Sequence, residues 1–338
     1  MMTILEGRPF TGRTLARMEA FLASMGLRYD GHVEYSVCLL DEDFSIVAAG
    51  SVEGGVLKCL AVSPDHQGEG LAAALVSQLV PYAAEQGRTH LFLYTKPDNQ
   101  ALFAGLGFYP ILKTGQVLFM ENKRDGFRTF LDQLRQASPA CDGTVGAIVA
   151  NCNPFTLGHR YLVEQALQQC DLLHLFILSE DRSFFSAKDR FQMARAGTAD
   201  LPRLVLHGTG DYLISHATFP TYFFKDQAQA GQANCQLDLE LFALAIAPAL
   251  GITRRFVGTE PLCPVTAAYN EAMKAVLPPY GIAVTELPRL AKDGVPVSAS
   301  EVRRCLARHD EARLRQLVPE PVAAMLLQSK PENWDLWR

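Results

Sequence analysis

The feature that most constrains this chain is a series of short apolar segments that alternate with amphipathic segments in its second half. The spacing of apolar residues in GHRYLVEQALQQC, AKDRFQMARAG, QLDLELFALAIA and AAYNEAMKAV predicts helices. Strands that are buried on both faces and separated by helices form parallel sheets. The second half is therefore predicted to be a doubly wound α/β domain. Its strands are TVGAIVA, LLHLFILS, RLVLHGT, RRFVGTE and IAVTELP, which begin at residues 144, 172, 203, 254 and 282.

The first half of the chain carries a second, more varied alternation of strands and helices. Helices are predicted from Gly70 to about Ala84 and over NQALFAGLG, which Gly107 ends. Strands are predicted at YSVCLL, SIVAAGSV, VLKCLAV and THLFLYT, which begin at residues 35, 45, 56 and 89.

The length of the chain predicts two domains. It has 338 residues, and a single hydrophobic core stops growing at roughly 250–300 residues. A charged segment that becomes rich in Ser, Pro and Gly follows residue 121 and marks a boundary. We predict an α/β domain over 1–125, a connecting helix and linker over 126–142, and the parallel-sheet domain over 143–338.

Charge and composition exclude several classes of protein. The net charge is −5, whereas a nucleic-acid binder would carry a basic stripe. The eight cysteines form no CxxC pair and no histidine lies at zinc spacing, so buried reduced thiols and no metal site are expected. The N-terminus MMTILEGRPF lacks an apolar signal region, and no run approaches the ~20 apolar residues of a membrane span. We therefore expect a cytoplasmic protein without membrane or nucleic-acid partners.

The turn after the first strand of the second half concentrates groups suited to phosphate. Thr156, Gly158 and His159 follow Asn153 at a strand–turn–helix corner, on the sheet edge where open α/β sheets bind ligands. The helix start is expected to offer free N–H groups and a positive dipole end. Gly158 would permit close backbone approach, and His159 could donate hydrogen bonds to phosphate oxygens as charge develops. The chain contains no P-loop motif, so this corner is the candidate nucleotide site.

This corner resembles the TxGH form of the HxGH nucleotidyltransferase superfamily, which has a Rossmann-like fold. The superfamily's second signature, of the ISxSxxR type, is matched by Val297, Ser298, Ser300 and Arg303 in VSASEVRR. On its own, Ser298 followed by Glu301 is also an ordinary helix capping box. The resemblance implies that the two signatures face each other across the triphosphate of ATP.

The resemblance also implies a role for each matched residue. His159 and Thr156 would contact the transferring phosphate, and Arg303 would stabilise the departing pyrophosphate. The other residues implied to bind ATP are Asn153, Gly158, Ser298 and Ser300.

Further strings between the signatures resemble the citrate lyase ligase family, and this resemblance extends over nearly the whole chain. They are FVGTEPLCPVTAAYNEAMK, SEDRSFFSAKDR and GDYLISHATFPTYFFKD. In related enzymes the position of Gly258, Thr259 and Glu260 borders the ribose and adenine. The alternative for TFPTYFF is a core segment. Candidate residues on the substrate side are Asp211, Tyr212, Ser215, Thr218 and Lys225.

In the first half, LAVSPDHQGEGLAAALV resembles the loop of GNAT acetyltransferases that cradles the pyrophosphate of coenzyme A. A later GNAT motif is matched by NQALFAGLGFYPI, which opens at Asn99. The resemblance implies a GNAT-like fold for this domain. It also implies a binding site for a coenzyme-A-like arm, formed by Gln67, Gly68, Gly70, Ala72 and Asn99.

The first half departs from the GNAT pattern at one position. Phe103 stands where many GNAT enzymes have a tyrosine that protonates the leaving thiolate, and phenylalanine has no proton to give. The nearest candidate base is Glu53. We therefore expect this domain to bind a pantetheine-bearing group without acetylating an amine.

The family resemblance implies an ATP-dependent ligase. Acetate would attack the α-phosphate of ATP, and the resulting acetyl-AMP would acetylate a thiol on the acyl carrier subunit of citrate lyase, at its dephospho-coenzyme-A-derived prosthetic group. Magnesium is expected to bridge the phosphates. Two alternatives stay open. The first is a nucleotidyltransferase acting on a phosphorylated, pantetheine-phosphate-like acceptor and fused to an acetyltransferase. The second is a non-catalytic metabolite sensor.

Overall fold

A computed structural model describes residues 2–30, 32–179, 183–213, 222–224, 227–261, 263–292 and 294–328. The chain divides into two compact units. The first comprises Met1–Phe127 with Phe219–Leu237, and the second comprises Arg128–Thr218 with Asp238–Arg338. The sequence prediction treated each domain as one continuous segment, whereas the first unit includes a piece of the second half of the chain.

The first unit contains a seven-stranded mixed sheet with strand order β1-β2-β3-β4-β5-β7-β6. Neighbouring strands are antiparallel except for β4 and β5, which are parallel. Its elements are β1 (Thr3–Gly7), α1 (Gly12–Ser24), β2 (Tyr35–Leu40), β3 (Ile46–Glu53), β4 (Val56–Val62), α2 (Leu71–Glu85), β5 (Phe92–Thr95), α3 (Gln100–Gly105), β6 (Tyr109–Lys113) and β7 (Leu118–Glu121).

The parallel strands β4 and β5 pair only at their beginnings. Val56 pairs with Phe92 and Leu57 with Leu93, although β4 continues to Val62 and β5 to Thr95. The two strands therefore diverge beyond these pairs and leave a fork in the sheet.

The second unit contains a five-stranded sheet in which every pairing is parallel, with strand order β10-β9-β8-β11-β12. The helix α7 begins in the first unit and continues through a π-helical turn, Phe242–Ile246, into α8. The elements from residue 126 onward are α4 (Gly126–Gln136), β8 (Val145–Ala150), α5 (Leu157–Leu167), β9 (Leu172–Ile177), α6 (Ala187–Gly197), β10 (Leu204–Gly208), α7 (Gln227–Leu241), α8 (Ala247–Leu250), β11 (Ile252–Gly258), α9 (Pro264–Val276), β12 (Ala283–Leu287), β13 (Ala291–Lys292), β14 (Val295–Pro296), α10 (Ala299–Arg308), α11 (Glu311–Arg315) and α12 (Glu320–Gln328).

Both faces of the parallel sheet are covered, as predicted. Alternate side chains of a strand point to opposite faces. Leu173 and Leu175 of β9 pack in a core cluster with Val163 of α5, whereas Phe176 packs edge-on against Phe242 of the π-helical turn. The strand order reverses between β8 and β11, and the carboxyl ends of two such strands flank the crevice where open α/β sheets bind ligands. The predicted fold class is therefore confirmed in this unit.

Two buried histidines lie side by side on β9 and β10. Nδ1 of His174 lies 3.0 Å from Nε2 of His207. Burial lowers the pKa of both imidazoles from 6.5 to about 4. Nε2 of His174 bonds to no described residue. The fold therefore holds this pair uncharged at neutral pH.

Acidification below pH 6.5 is expected to destabilise the second unit. Between pH 6.5 and 4 the unfolded chain binds more protons than the folded chain, so stability rises with pH through this window and reaches its full value above it. For one such histidine, a pKa lowered from 6.5 to about 4 makes the free energy of unfolding at pH 4 roughly 3 kcal/mol smaller than at neutral pH. Calorimetric scans at pH 7 and 4.5 should show a smaller drop in Tm for His174→Leu/His207→Leu than for the wild type. Exposed His309→Asn is the control, and equal drops in all three proteins would contradict the prediction.

One described helix, Gln229–Leu250, is long and apolar enough to cross a membrane by length and composition, which the sequence prediction passed over. Its mean hydropathy is 1.2 and half of the tested window is buried. A core helix gives the same signal, so the observation is weak. The eight cysteines are free, as expected, but Cys263 is exposed and only five are buried.

Candidate functional site

The turn between β8 and α5 holds Thr156 and His159 in a reciprocal cap. The Thr156 Oγ1 accepts a hydrogen bond from the His159 backbone N–H at 3.3 Å. Nδ1 of His159 accepts from the Thr156 backbone N–H at 3.0 Å and lies 2.9 Å from Thr156 Oγ1. Thr156 was expected to contact the transferring phosphate. It is 1% exposed and its hydroxyl lies against the imidazole, so its described contacts are those of a positioning residue, and the phosphate contact stays a prediction.

These contacts also determine which nitrogen of His159 carries the proton. A ring nitrogen that accepts from a backbone N–H is unprotonated, so the network assigns the proton of the neutral imidazole to Nε2. Burial and, second, the positive charge of Arg289 lower the pKa of His159 from 6.5 to about 4. At pH 7 the half-buried His159 is therefore a neutral donor through Nε2–H.

The second signature begins α10 and meets the first signature through Arg303. Ser298 is the N-cap, and its Oγ accepts from the Glu301 backbone N–H at 3.2 Å. Nη2 of Arg303 donates to Ser300 Oγ at 3.0 Å, and Nη1 donates to the carbonyl oxygen of Asn153 at 2.5 Å. The guanidinium thus joins α10 to the turn that precedes His159.

Gly158 faces the second signature. A Cβ at Gly158 would lie 3.1 Å from the carbonyl oxygen of Val297 and 3.4 Å from Thr156 Oγ1. The close approach that its missing side chain permits is to Val297, within the protein. That this glycine also lets backbone approach a phosphate stays a prediction.

The start of α5 has fewer free N–H groups than the sequence analysis assumed. The N–H of Leu157 donates to the carbonyl oxygen of Leu317 at 2.9 Å, and that of His159 donates to Thr156. Among the first three N–H groups of the helix, only that of Gly158 bonds to no described residue. The helix start therefore offers one such donor for an anion, beside the imidazole.

The carboxyl end of β11 is held together by an arginine that follows β12. Nε of Arg289 donates to the carbonyl oxygen of Thr259 at 2.7 Å, and the guanidinium pairs with the carboxylate of Glu260. The other oxygen of Glu260 accepts from the Cys263 backbone N–H at 3.1 Å. Glu260 was expected to border the ribose and adenine; its carboxylate is committed to Arg289 and to the start of α9.

Thr259 and Glu260 also border a shallow cavity of about 410 Å³ beside α9. The carbonyl oxygen of Gly258 accepts from Asn270 Nδ2 at 3.0 Å. All three predicted residues therefore lie at the carboxyl end of β11, and two of them line a space.

Arg289 is a candidate residue that the sequence analysis missed. Its positive charge helps to lower the pKa of His159, and Glu260 and Thr259 fix its guanidinium. A usable signal was present, because Arg289 follows a predicted parallel strand directly, and polar residues after such strands meet at one sheet edge.

The remaining predicted residues of this half lie in different environments, and three of them are outside the described residues. Oδ1 of Asn153 accepts from the Phe185 backbone N–H at 3.1 Å, so this amide braces the turn. Asp211 is exposed. Tyr212 is buried with its ring 4.8 Å from that of Phe130. The other substrate-side candidates, Ser215, Thr218 and Lys225, lie outside the described residues.

In the first unit, all five residues predicted to bind a coenzyme-A-like arm line one cavity of about 860 Å³. The cavity lies at the fork between β4 and β5 and also receives Tyr222 and Phe223 from the second half of the chain. Gly68 and Gly70 have φ of 88° and 76°, a left-handed conformation that favours glycine. The predicted residues in the lining are Gln67, Gly68, Gly70, Ala72 and Asn99.

Phe103 and Glu53, which the sequence analysis weighed for a role in acetyl transfer, both contact other residues of this unit. Phe103 is buried in the core and lines the cavity. Glu53 pairs with the buried ammonium of Lys58, which also bonds Asp30 at 2.8 Å. Glu53 is therefore held by a cation, which does not suit the base that the sequence analysis considered.

Comparisons with known proteins give family matches in both halves of the chain. A family model described as the citrate lyase ligase C-terminal domain matches residues 145–326, and one described as the acetyltransferase (GNAT) family matches residues 19–108. The chain is 45% identical over 335 residues to citrate (pro-3S)-lyase ligase of Klebsiella pneumoniae, with 97% of each chain covered. It is 41% identical over 315 residues to the protein of that name from Escherichia coli strain K12, covering 91% of this chain and 88% of the relative. Among solved structures, Escherichia coli ElaA is matched over 36% of this chain and 100% of its own, at 15% identity and a TM-score of 0.32.

Proposed function

Because this chain belongs to the citrate lyase ligase family, we propose that it uses ATP and acetate to acetylate a thiol on citrate lyase. A carboxylate oxygen of acetate attacks the α-phosphorus of ATP, and the bond to the bridging oxygen breaks, so that pyrophosphate leaves. The thiolate of the dephospho-coenzyme-A-derived arm on the acyl carrier subunit then attacks the acetyl carbon. The carbon–oxygen bond to AMP breaks, and AMP leaves.

The observation that carries the first step is the contact between the two signatures. Arg303 donates to Asn153, three residues before the Thr156–His159 cap. A fixed cation and a neutral imidazole donor at one sheet edge suit a triphosphate whose negative charge shifts toward the leaving pyrophosphate.

Each residue at this edge then has a distinct part in the proposal. His159 donates from Nε2 to the α-phosphate, while Thr156 holds the ring. Arg303 neutralises the leaving pyrophosphate, and Arg289, fixed by Glu260, adds positive charge near the imidazole. The chain supplies position and charge rather than a covalent intermediate.

Within the described ranges no group of three His, Cys, Asp or Glu side chains could hold a metal ion. Magnesium, which the resemblance implied, would therefore be carried to the site by the phosphates of ATP.

The second step rests on the cavity of the first unit. Its glycine loop precedes the start of α2, where the dipole favours a phosphate. We assign this cavity to the arm of the carrier subunit. Neither Phe103 nor the paired Glu53 suits amine acetylation, so the cavity acts as a docking site.

The experiment that tests this proposal measures both steps with one variant. Gly68→Val/Gly70→Val should reduce acetylation of the carrier thiol at least about tenfold while acetate-dependent exchange of labelled pyrophosphate into ATP continues. No atom lies within 4 Å of a Cβ at either position, so the added side chains would extend into open space and strain two left-handed residues.

The matched control is Gly87→Val. Gly87 has φ of 76° with open space around a Cβ, and it does not line the cavity. It should carry the backbone strain of one such position and leave both steps unchanged. Unchanged thiol acetylation in the double variant would contradict arm docking, and absence of acetate-dependent exchange in the wild type would contradict acetate adenylation.

A further inference from the structure

The fork between β4 and β5 is closed at its inner end by a tyrosine from the second half of the chain. The hydroxyl of Tyr222 donates to the carbonyl oxygen of Tyr94 on β5 at 2.9 Å, and it lies within hydrogen-bonding reach of the Cys59 backbone N–H on β4. The Tyr222 carbonyl oxygen accepts from the Arg28 backbone N–H at 2.8 Å. Tyr222 is 6% exposed. Its phenol therefore takes the place of a strand partner where the two strands separate.

The cavity borders this bridge, since Tyr94 and Tyr222 both line it. Its lining includes Leu60, Ala61 and Val62 of β4 but not Cys59. Beyond the tyrosine the fork is open, so an extended ligand entering along β4 would end against the phenol.

The cavity has both polar and apolar lining, which suits a charged head followed by a long arm. The polar lining residues include His66, Gln67, Lys96 and Asn99. The apolar lining residues include Leu60, Leu75, Leu93, Phe103, Tyr222 and Phe223.

We propose that Tyr222 makes this cavity selective for an arm that ends in a free thiol and excludes the same arm once its thiol is acetylated. The inference rests on the proposed docking of the arm. An acetyl group at the sulfur would occupy the volume of the phenol, and the close-packed interior around a buried ring does not yield that space. The thiol therefore leaves the cavity to react with acetyl-AMP, and once acetylated the arm cannot re-enter, so the cavity is free for a new thiol.

The test compares two ligands that differ only at the sulfur. Dephospho-coenzyme A and acetyl-dephospho-coenzyme A are titrated calorimetrically into the full-length wild type, Tyr222→Ala and Tyr222→Phe. The wild type should bind the thiol at least about tenfold more tightly than the thioester. Tyr222→Ala should bind both within about twofold of each other, because the end of the fork is then open. Tyr222→Phe keeps the ring volume and should keep the preference.

The outcomes separate this inference from the proposed function. Equal affinity of the wild type for both ligands overturns the selectivity and leaves arm docking in place. Binding of neither ligand, with pyrophosphate exchange intact, overturns arm docking and the selectivity together. If Tyr222→Ala does not fold, the titrations of the wild type and of Tyr222→Phe still test the selectivity. Loss of the preference for the thiol in Tyr222→Phe overturns the role of ring volume.

Discussion

Replacement of His159 by alanine is expected to lower the rate of acetate-dependent pyrophosphate exchange by about 10²–10³-fold. The neutral Nε2–H donor would be lost where negative charge develops on the transferring phosphate. The variant also removes the acceptor of the Thr156 backbone N–H, which would cost about 1 kcal/mol of unfolding free energy. Exchange kinetics and a thermal melt on the same preparation separate the two effects.

Two further variants sharpen this prediction. In His159→Gln the amide oxygen can still accept from the Thr156 N–H, as glutamine does in a capping box, and the amide NH2 can donate in place of Nε2–H, so stability and part of the exchange rate should return. Exposed His309 has φ of 56°, a conformation that asparagine tolerates, so His309→Asn is a control that should change neither quantity. Restored stability in His159→Gln with exchange as low as in His159→Ala would contradict the role of a neutral N–H donor.

The pH dependence of exchange provides a second check on His159. Its pKa is lowered to about 4, so the imidazole stays neutral, and the donor stays on Nε2, from pH 8 down to about 5. Protonation below that range would place a proton on Nδ1, which faces the Thr156 N–H. A fall in rate centred near pH 6.5 that disappears in a variant of His159 would contradict this assignment.

The parallel sheet could be predicted because its central strands are continuous apolar runs bounded by turn residues. β8 is of this kind, and β9 is interrupted only by His174. The start of α7 could not be predicted in the same way. The segment QAQAGQANC consists mainly of helix-forming residues without apolar periodicity, and the helix begins at Gln227 rather than near residue 236.

The candidate site could be predicted at the level of which residues meet, but not of which atoms bond. The rule that the carboxyl ends of parallel strands share one edge brings His159, Glu260 and Arg289 together. It cannot tell that Gly158 would face Val297, because that contact depends on packing between segments more than 100 residues apart. It also does not assign the local hydrogen bonds by which Thr156 holds the imidazole three residues later.

Tyr222 is the clearest example of a contact that local sequence spacing does not predict. It bonds Tyr94, a residue 128 positions away in the sequence. Nothing in the spacing of TFPTYFF distinguishes a core segment from one that enters another unit. The described part of this string, residues 222–224, is buried, which fits the alternative that the string is a core segment. These residues belong to the first unit.

Arg303→Ala is expected to reduce pyrophosphate exchange by about 10²–10³-fold and to raise the pyrophosphate concentration at half-maximal rate. The guanidinium donates in two directions, to Ser300 Oγ and to the Asn153 carbonyl oxygen, and lysine cannot reproduce this planar fork. Arg303→Lys should therefore recover only part of the rate, although it keeps the charge.

The neighbouring residue on α10 provides a matched control for this prediction. The Arg304 side chain is 61% exposed and pairs with Glu301 at 2.8 Å, an arrangement that contributes less than about 1 kcal/mol to stability. Arg304→Ala should leave exchange and its half-saturation unchanged. A purely structural role of Arg303 would lower the active fraction without moving the half-saturating pyrophosphate concentration, so an unmoved value in Arg303→Ala would contradict its assignment to the outer phosphates.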